Sequence, residues 1–255
     1  VVDAIGRDVT GFRVGDRVAT LSYHSYADFD VMPATSLARL PEDWGEDPFP
    51  AEPLACAWNV FQRCQIQSGQ TVAIVGIGFL GALLTQLAAS SGARVLAISR
   101  RAFARNVAAA CGADYVFSLE DPEATVRNIG NTLGDDGCDC VIEATGSQSA
   151  LDVASQLVRI RGRLVIAGYH QDGLRQINLQ QWNWKGIDVI NAHERDPAIY
   201  LEGMRHAMNA VAKGTLDPAP LLTHHYALDE LSSAFRDSIE RPSGFMKAVV
   251  WTRQE

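Results

Sequence analysis

The amino-acid sequence predicts an α/β protein: a doubly wound parallel sheet joined to a second region of β and loop character. Three observations predict it. From about residue 60 to 191, short apolar runs alternate with segments carrying apolar residues at helical spacing, the pattern of repeated βαβ units. The first of these runs, Thr71–Val75, passes directly into Gly76-Ile77-Gly78-Phe79-Leu80-Gly81. Residues 1–50 lack the alternation and are punctuated by Pro33, Pro41, Pro48 and Pro50, which reads as strands and loops.

Taken in order, residues 1–5 read as a strand, residues 12–18 as a turn leading into a strand, and residues 26–31 as another. Thr71–Val75 is continuously apolar, as a parallel strand buried on both faces must be. Residues 79–91 have helical periodicity and stop at Gly92, a helix C-terminal signal. Strands follow at 94–98, 115–117, 139–144, 162–167 and 186–191, with helices near 102–111, 121–133 and 147–159. The connection 168–185 shows no regular period and contains Trp182 and Trp184. Asp196-Pro197 opens a long amphipathic helix, with Asp as cap and Pro at the first position, running to about Lys213. Residues 228–239 carry another apolar stripe, and residues 245–251 read as a final strand.

Composition narrows the function. A chain of 255 residues can bury a sizeable core, as one large domain or two smaller ones. A formal charge of −8 opposes a nucleic-acid surface. No apolar run approaches the roughly 20 residues that span a bilayer, and no secretory signal opens the chain. Five cysteines, an odd number without a framework spacing, point to the reducing cytoplasm. Cys138 and Cys140 alternate along a strand, share a face and read as buried thiols. The chain begins at Val1, within a strand-like run, as the interior of a longer protein would.

The glycine turn is a dinucleotide fingerprint because it has its strand before and its helix after. Gly76 permits the tight turn, Gly78 lets backbone approach a pyrophosphate, and Gly81 lets helix and strand pack closely. The helix N-terminus supplies N–H groups for the phosphates, so Gly76, Ile77, Gly78, Phe79 and Leu80 are candidate contacts. The plain alternative is a glycine-rich turn with no ligand. About 20 residues further on, a binder of NAD shows Asp or Glu for the ribose 2′-hydroxyl. This chain shows Ser99-Arg100-Arg101, and guanidinium groups suit a 2′-phosphate. NADP(H) is therefore expected over NAD(H), the alternative being that Arg100 and Arg101 are solvated charges opening the next helix.

Together these pieces resemble the medium-chain dehydrogenases, specifically the zinc-dependent alcohol and polyol dehydrogenases. The anchors are Val14-Gly15-Asp16-Arg17-Val18, Glu52-Pro53-Leu54, the fingerprint, Glu143-Ala144-Thr145-Gly146, Pro220-Leu221-Leu222-Thr223-His224 and Lys247-Ala248-Val249-Val250. The resemblance implies a Rossmann dinucleotide-binding domain over 58–191, and a partial GroES-like catalytic domain from 1–57 and 192–255 that lacks its N-terminal part. It implies an oxidoreductase passing hydride between NADP(H) and an alcohol, polyol or carbonyl substrate, with a catalytic zinc in the complete protein. Glu52, 24 positions before Gly76, stands where polyol-type members place a glutamate that ligates that zinc or holds its water. Read from the residues alone, it is an acid in a proline-rich loop.

Cys56 stands where the family contacts nicotinamide, and packing is its plain role. The other zinc ligands and the proton-relay hydroxyl of the family lie upstream of the stretch matching Val1, so no catalytic acid or base is assigned in this chain. The family's four-cysteine loop is missing between Val18 and Tyr26, and no structural zinc is expected. His24, His193, His206, His224 and His225 read as surface or packing residues. Further cofactor contacts implied by the family are Thr145 and Gly146, Ala167 and Gly168, and Lys247. The resemblance also implies a homodimer or homotetramer paired through residues 187–191. Three rivals stand beside this reading. A zinc-free quinone or enoyl reductase of the same superfamily is disfavoured by Glu52-Pro53-Leu54, and a methyltransferase by Ser99-Arg100-Arg101. The third is a non-catalytic dinucleotide-binding fragment.

Overall fold

A computed structural model describes residues 1–252 except 23, 25, 42, 43, 46 and 135. The chain forms two compact units, one of Val1–Trp58 with the segment from Glu194 onward, the other of Asn59–His193. In the first unit, β1 (Val18–Thr20) pairs antiparallel with β2 (Leu37–Arg39), Val18 facing Arg39. The same unit contains the start of α1 (Ala51–Cys64), with Glu52 in its first turn.

The second unit is a six-stranded sheet flanked by helices. In chain order it holds β3 (Thr71–Val75), α2 (Phe79–Ser90), β4 (Arg94–Ser99), α3 (Ala102–Ala110) and β5 (Tyr115–Ser118). Then follow α4 (Pro122–Leu133), β6 (Cys138–Glu143), α5 (Gln148–Leu157), β7 (Val158–Ile166), α6 (Leu179–Lys185) and β8 (Asp188–Asn191). The strands run in the order β5-β4-β3-β6-β7-β8, and every pairing is parallel. Strand order reverses between β3 and β6, so the carboxyl ends of those strands open the crevice where doubly wound sheets bind ligands. Val72 to Val75 and Val95 to Ile98 are fully buried, which is why these runs carry no polar alternation. Helix starts are set locally: Asp121 caps α4 at Ala124 N, 2.9 Å, and Ser147 caps α5.

α6 forms where no period was legible. Asn178 caps it, Gly186 ends it in the left-handed region, and none of its seven residues is buried. A helix without a buried stripe leaves no apolar pattern to read.

The chain then returns to the first unit through α7 (Pro197–Ala212), β9 (His224–Ala227), α8 (Leu231–Glu240) and β10 (Ala248–Trp251). Asp196 caps α7 at Ala198 N, 2.8 Å, with Pro197 in the first turn. β9 and β10 pair in parallel. Ala19, Ala38, Leu40, Ala51 and Ala55 pack with Leu201, Met204 and Met208 of α7 as the core of this unit. Two expected strands are not formed. Among the described residues, residues 1–5 bond through Val2, whose N–H donates to Asp16 O and whose carbonyl accepts from Gly15 N, and residues 26–31 leave Phe29 and Val31 exposed. Val1, Ile5, Phe29 and Val31 stay exposed, and alternation without burial of one face does not build a ladder. Within the turn around His24, Tyr23 and Ser25 lie outside the described residues. All five cysteines are free thiols, and Cys138 and Cys140 are buried. Among the described residues, no helix is long and apolar enough to cross a membrane.

Candidate functional site

The fingerprint side of the crevice is built by close backbone packing at Gly76 and Gly81. Gly76 has φ +106°, and its N–H donates to Ile98 O at 2.8 Å. A Cβ on Gly76 would overlap the Thr145 methyl, and one on Gly81 would overlap the Gly76 carbonyl. Gly78, by contrast, has open space on that side and stands at the start of α2 with no side-chain cap. The first N–H groups of α2 are thus left for an anion. Ile77 and Phe79 are buried and Leu80 is half-buried, so these three offer a ligand their peptide groups rather than their side chains.

Ser99 ends β4 with its side chain buried, Arg100 is exposed, and Arg101 occupies the cap position of α3 without a side-chain cap bond. Arg101 Nη2 reaches the Ile77 carbonyl at 3.5 Å, bringing a guanidinium to the fingerprint turn. One turn into α3, Arg105 Nη1 donates to the carbonyls of Ser99 at 2.9 Å and Arg100 at 2.7 Å. Sequence reasoning passed over Arg105; its spacing from Ser99-Arg100-Arg101, one helical turn on, was the available signal.

At the end of β6, the Glu143 carboxylate is completely buried. It accepts from Thr145 N at 2.7 Å, Thr145 Oγ1 at 2.6 Å and Gly146 N at 3.0 Å. His170 Nε2 lies 3.0 Å from its other oxygen. The Glu143 carbonyl accepts from Ala167 N and Gly168 N, both at 2.8 Å. A Cβ on Gly168 would overlap Gly146 N and the Glu143 carboxylate, and one on Gly146 would press on the Tyr169 carbonyl. Gly76, Thr145, Gly146, Ala167 and Gly168 are therefore brought together at the switch point. The sequence had marked Glu143 only as part of a motif, and missed His170 and Arg175 altogether.

Glu52 and Lys247 belong to the other unit. Tyr200 OH donates to Glu52 Oε1 at 3.1 Å. Burial, the Cys56 sulfur and the Glu52 carboxylate together push the Tyr200 phenol far above its ordinary range. Burial first, then the charge of Glu52, raises the Cys56 thiol. Cys56 and Tyr200 do not complete a metal-ligand set around Glu52: among the described residues, no three His, Cys, Asp or Glu side chains are grouped so as to hold a metal ion. Lys247 precedes β10, where its carbonyl accepts from Thr223 N at 3.0 Å. Four of the six histidines face aromatic neighbours: His193 meets Tyr169, His206 stacks on Trp58, His224 meets Phe245 and His225 stacks on Trp251.

A family model described as zinc-binding dehydrogenase matches residues 80–210, more than half of the chain. The chain belongs to that family, within the medium-chain dehydrogenases that its motifs resemble. Among curated relatives, the 2-dehydro-3-deoxy-L-galactonate 5-dehydrogenase of Pseudoalteromonas atlantica is 29% identical over 78% of this chain and 56% of the relative. The sorbitol dehydrogenase of Halalkalibacterium halodurans is 26% identical over 91% of this chain and 75% of the relative. The chain spans between about half and three quarters of the curated relatives it matches. A solved zinc-binding dehydrogenase of Sinorhizobium meliloti bound to NADP is 25% identical, with TM-score 0.82 over 98% of this chain and 80% of the other. The zinc-dependent alcohol dehydrogenase 2 of Streptococcus pneumonia, 18% identical with TM-score 0.88 over 99% of this chain and 80% of the other, shares the fold.

Proposed function

We propose that the chain binds a nicotinamide dinucleotide, NADP(H) in preference to NAD(H), and is the cofactor-binding part of an oxidoreductase that transfers hydride between it and an alcohol or polyol. The observation that carries this reading is the crevice between β3 and β6. It joins an uncapped helix N-terminus at Gly78 to Ser99-Arg100-Arg101, where an acid would otherwise select NAD. The names of the relatives, sorbitol dehydrogenase and erythritol/L-threitol dehydrogenase among them, support a polyhydroxylated substrate.

In this reading the N–H groups from Ile77 to Leu80 hold the pyrophosphate, and Arg100 and Arg101 take the 2′-phosphate as paired donors. Thr145 and Gly146 meet the cofactor at the carboxyl edge of the sheet, and the backbone of Ala167 and Gly168 approaches the nicotinamide. The unit of Val1–Trp58 and the segment from Glu194 is the remaining part of a GroES-like catalytic domain. A zinc ion, when bound, would polarise the substrate oxygen. Glu52 is one proposed ligand, or the holder of the zinc's water; among the described residues no three His, Cys, Asp or Glu side chains group to hold a metal ion. The protein would act in the cytoplasm, as its free thiols suggest. Titration of the chain with NADPH and NADH tests the cofactor reading. NADPH should bind at least about tenfold more tightly, the worth of one charge-assisted hydrogen bond. Equal or tighter binding of NADH overturns the preference.

A further inference from the structure

The loop that follows β7 is held by two side chains to which the proposed function gives no part. Arg175 Nε donates to His170 Nδ1 at 2.8 Å, and Arg175 Nη2 donates to the Gly146 carbonyl at 2.6 Å. Asp172 pairs with the same guanidinium, which holds its carboxyl below the usual range. Arginine has no acceptor, so His170 Nδ1 must be the bare nitrogen and Nε2 must carry the proton. Nε2–H then donates to the buried Glu143 carboxylate, 3.0 Å away. Arg175, His170 and Glu143 form one directional chain of hydrogen bonds, and its inner end lies against Gly168.

We propose that His170 and Arg175 are positioning residues that set the backbone of Ala167 and Gly168, and so fix the nicotinamide end of the cofactor. The two oxygens of Glu143 divide the work. One is held by Thr145 and Gly146, beside the fingerprint turn, without help from His170. The other lies 3.0 Å from His170 Nε2, takes a longer bond from Gly146 N at 3.3 Å, and stands at the close approach of Gly168. Removing His170 takes the nearer donor from that buried oxygen and leaves the longer bond from Gly146, and the cost falls on the residue 168 side. The turn at Gly76 and the end of β4, which take the adenine end, keep their own bonds to Ile98 and Arg105. The inference rests on the cofactor reading above.

Two ligands separate the ends: NADPH, and adenosine 2′,5′-bisphosphate, which lacks the nicotinamide half. His170→Ala should weaken NADPH about tenfold and leave the bisphosphate unchanged. His170→Gln should restore NADPH binding, because an amide offers one donor to Glu143 and one acceptor to Arg175. Arg175→Met gives the same comparison should His170→Ala not fold. Equal weakening of both ligands, no weakening of either, or failure of the glutamine to restore binding overturns the proposal. Failure of the unaltered chain to bind NADPH instead overturns the cofactor reading.

Discussion

Cys138 shows how burial fixes the chemistry of a single side chain. Burial first, then the charge of Asp139 and the neighbouring Cys140, pushes its thiol up to about 12 from an ordinary 9.0. Below pH 9 the thiol is neutral in both folded and unfolded chains, and its titration costs nothing. Above pH 9 the unfolded chain loses the proton while the folded one keeps it. Stability therefore falls as pH rises from 9 towards 12, by up to about 1.4 kcal/mol per pH unit from this group. Thermal unfolding followed across that window should fall less steeply for Cys138→Ala than for the parent. The same burial explains what could be read here from sequence: alternate cysteines in an apolar run predict buried thiols. The buried Glu143 was less legible. Its partners stand at positions 145, 146 and 170, and a bond spanning 27 residues leaves no local trace.

At the scale of elements, the contact between α2 and the turn before it is the tightest point of the fingerprint. Alanine is ordinarily better than glycine within a helix by about 1 kcal/mol. At Gly81 the new methyl would overlap the Gly76 carbonyl, which is backbone and cannot swing away. Overpacking of this kind costs roughly 1–3 kcal/mol, enough to outweigh the helix propensity. Gly81→Ala is expected to lower the melting temperature by several degrees and to weaken NADPH binding, measured by calorimetry and by titration. Gain of stability would show that α2 can move off the turn at little cost. Elements with buried stripes or strong caps were legible: β3, α2, β4, α4 and α7 begin and end within a residue or two of their expected bounds. The short strands β2 and β9 and the helix α6 were not. Their burial is partial, so neither period 2 nor period 3.6 stands out.

Over the whole molecule, the sheet ends at β8, and among the described residues no strand pairs with its outer edge. Val189 and Ile190 are half-buried between the exposed Asp188 and Asn191. An edge of this kind is a template for another chain unless it is covered. Pairing with a second copy across a two-fold axis would continue the sheet and cover it, in line with the proposed homo-oligomer. Asn191→Pro, which removes an outward N–H at an exposed position of the edge, should convert the oligomer to monomer in light scattering at micromolar protein while NADPH binding persists. A parent chain that is already monomeric would overturn this assembly. The cofactor crevice, the sheet edge and the His170 loop all lie within Asn59–His193.

Arg105 has a consequence for how such a protein can change over evolutionary time. It grips the main chain of Ser99 and Arg100, not their side chains, and it belongs to α3 rather than to the loop. The path of the loop is therefore inherited from the helix, while the groups projecting from it are free to be exchanged. A lineage could trade the guanidinium of Arg100 for a carboxylate, and one redox currency for the other, without rebuilding the scaffold beneath.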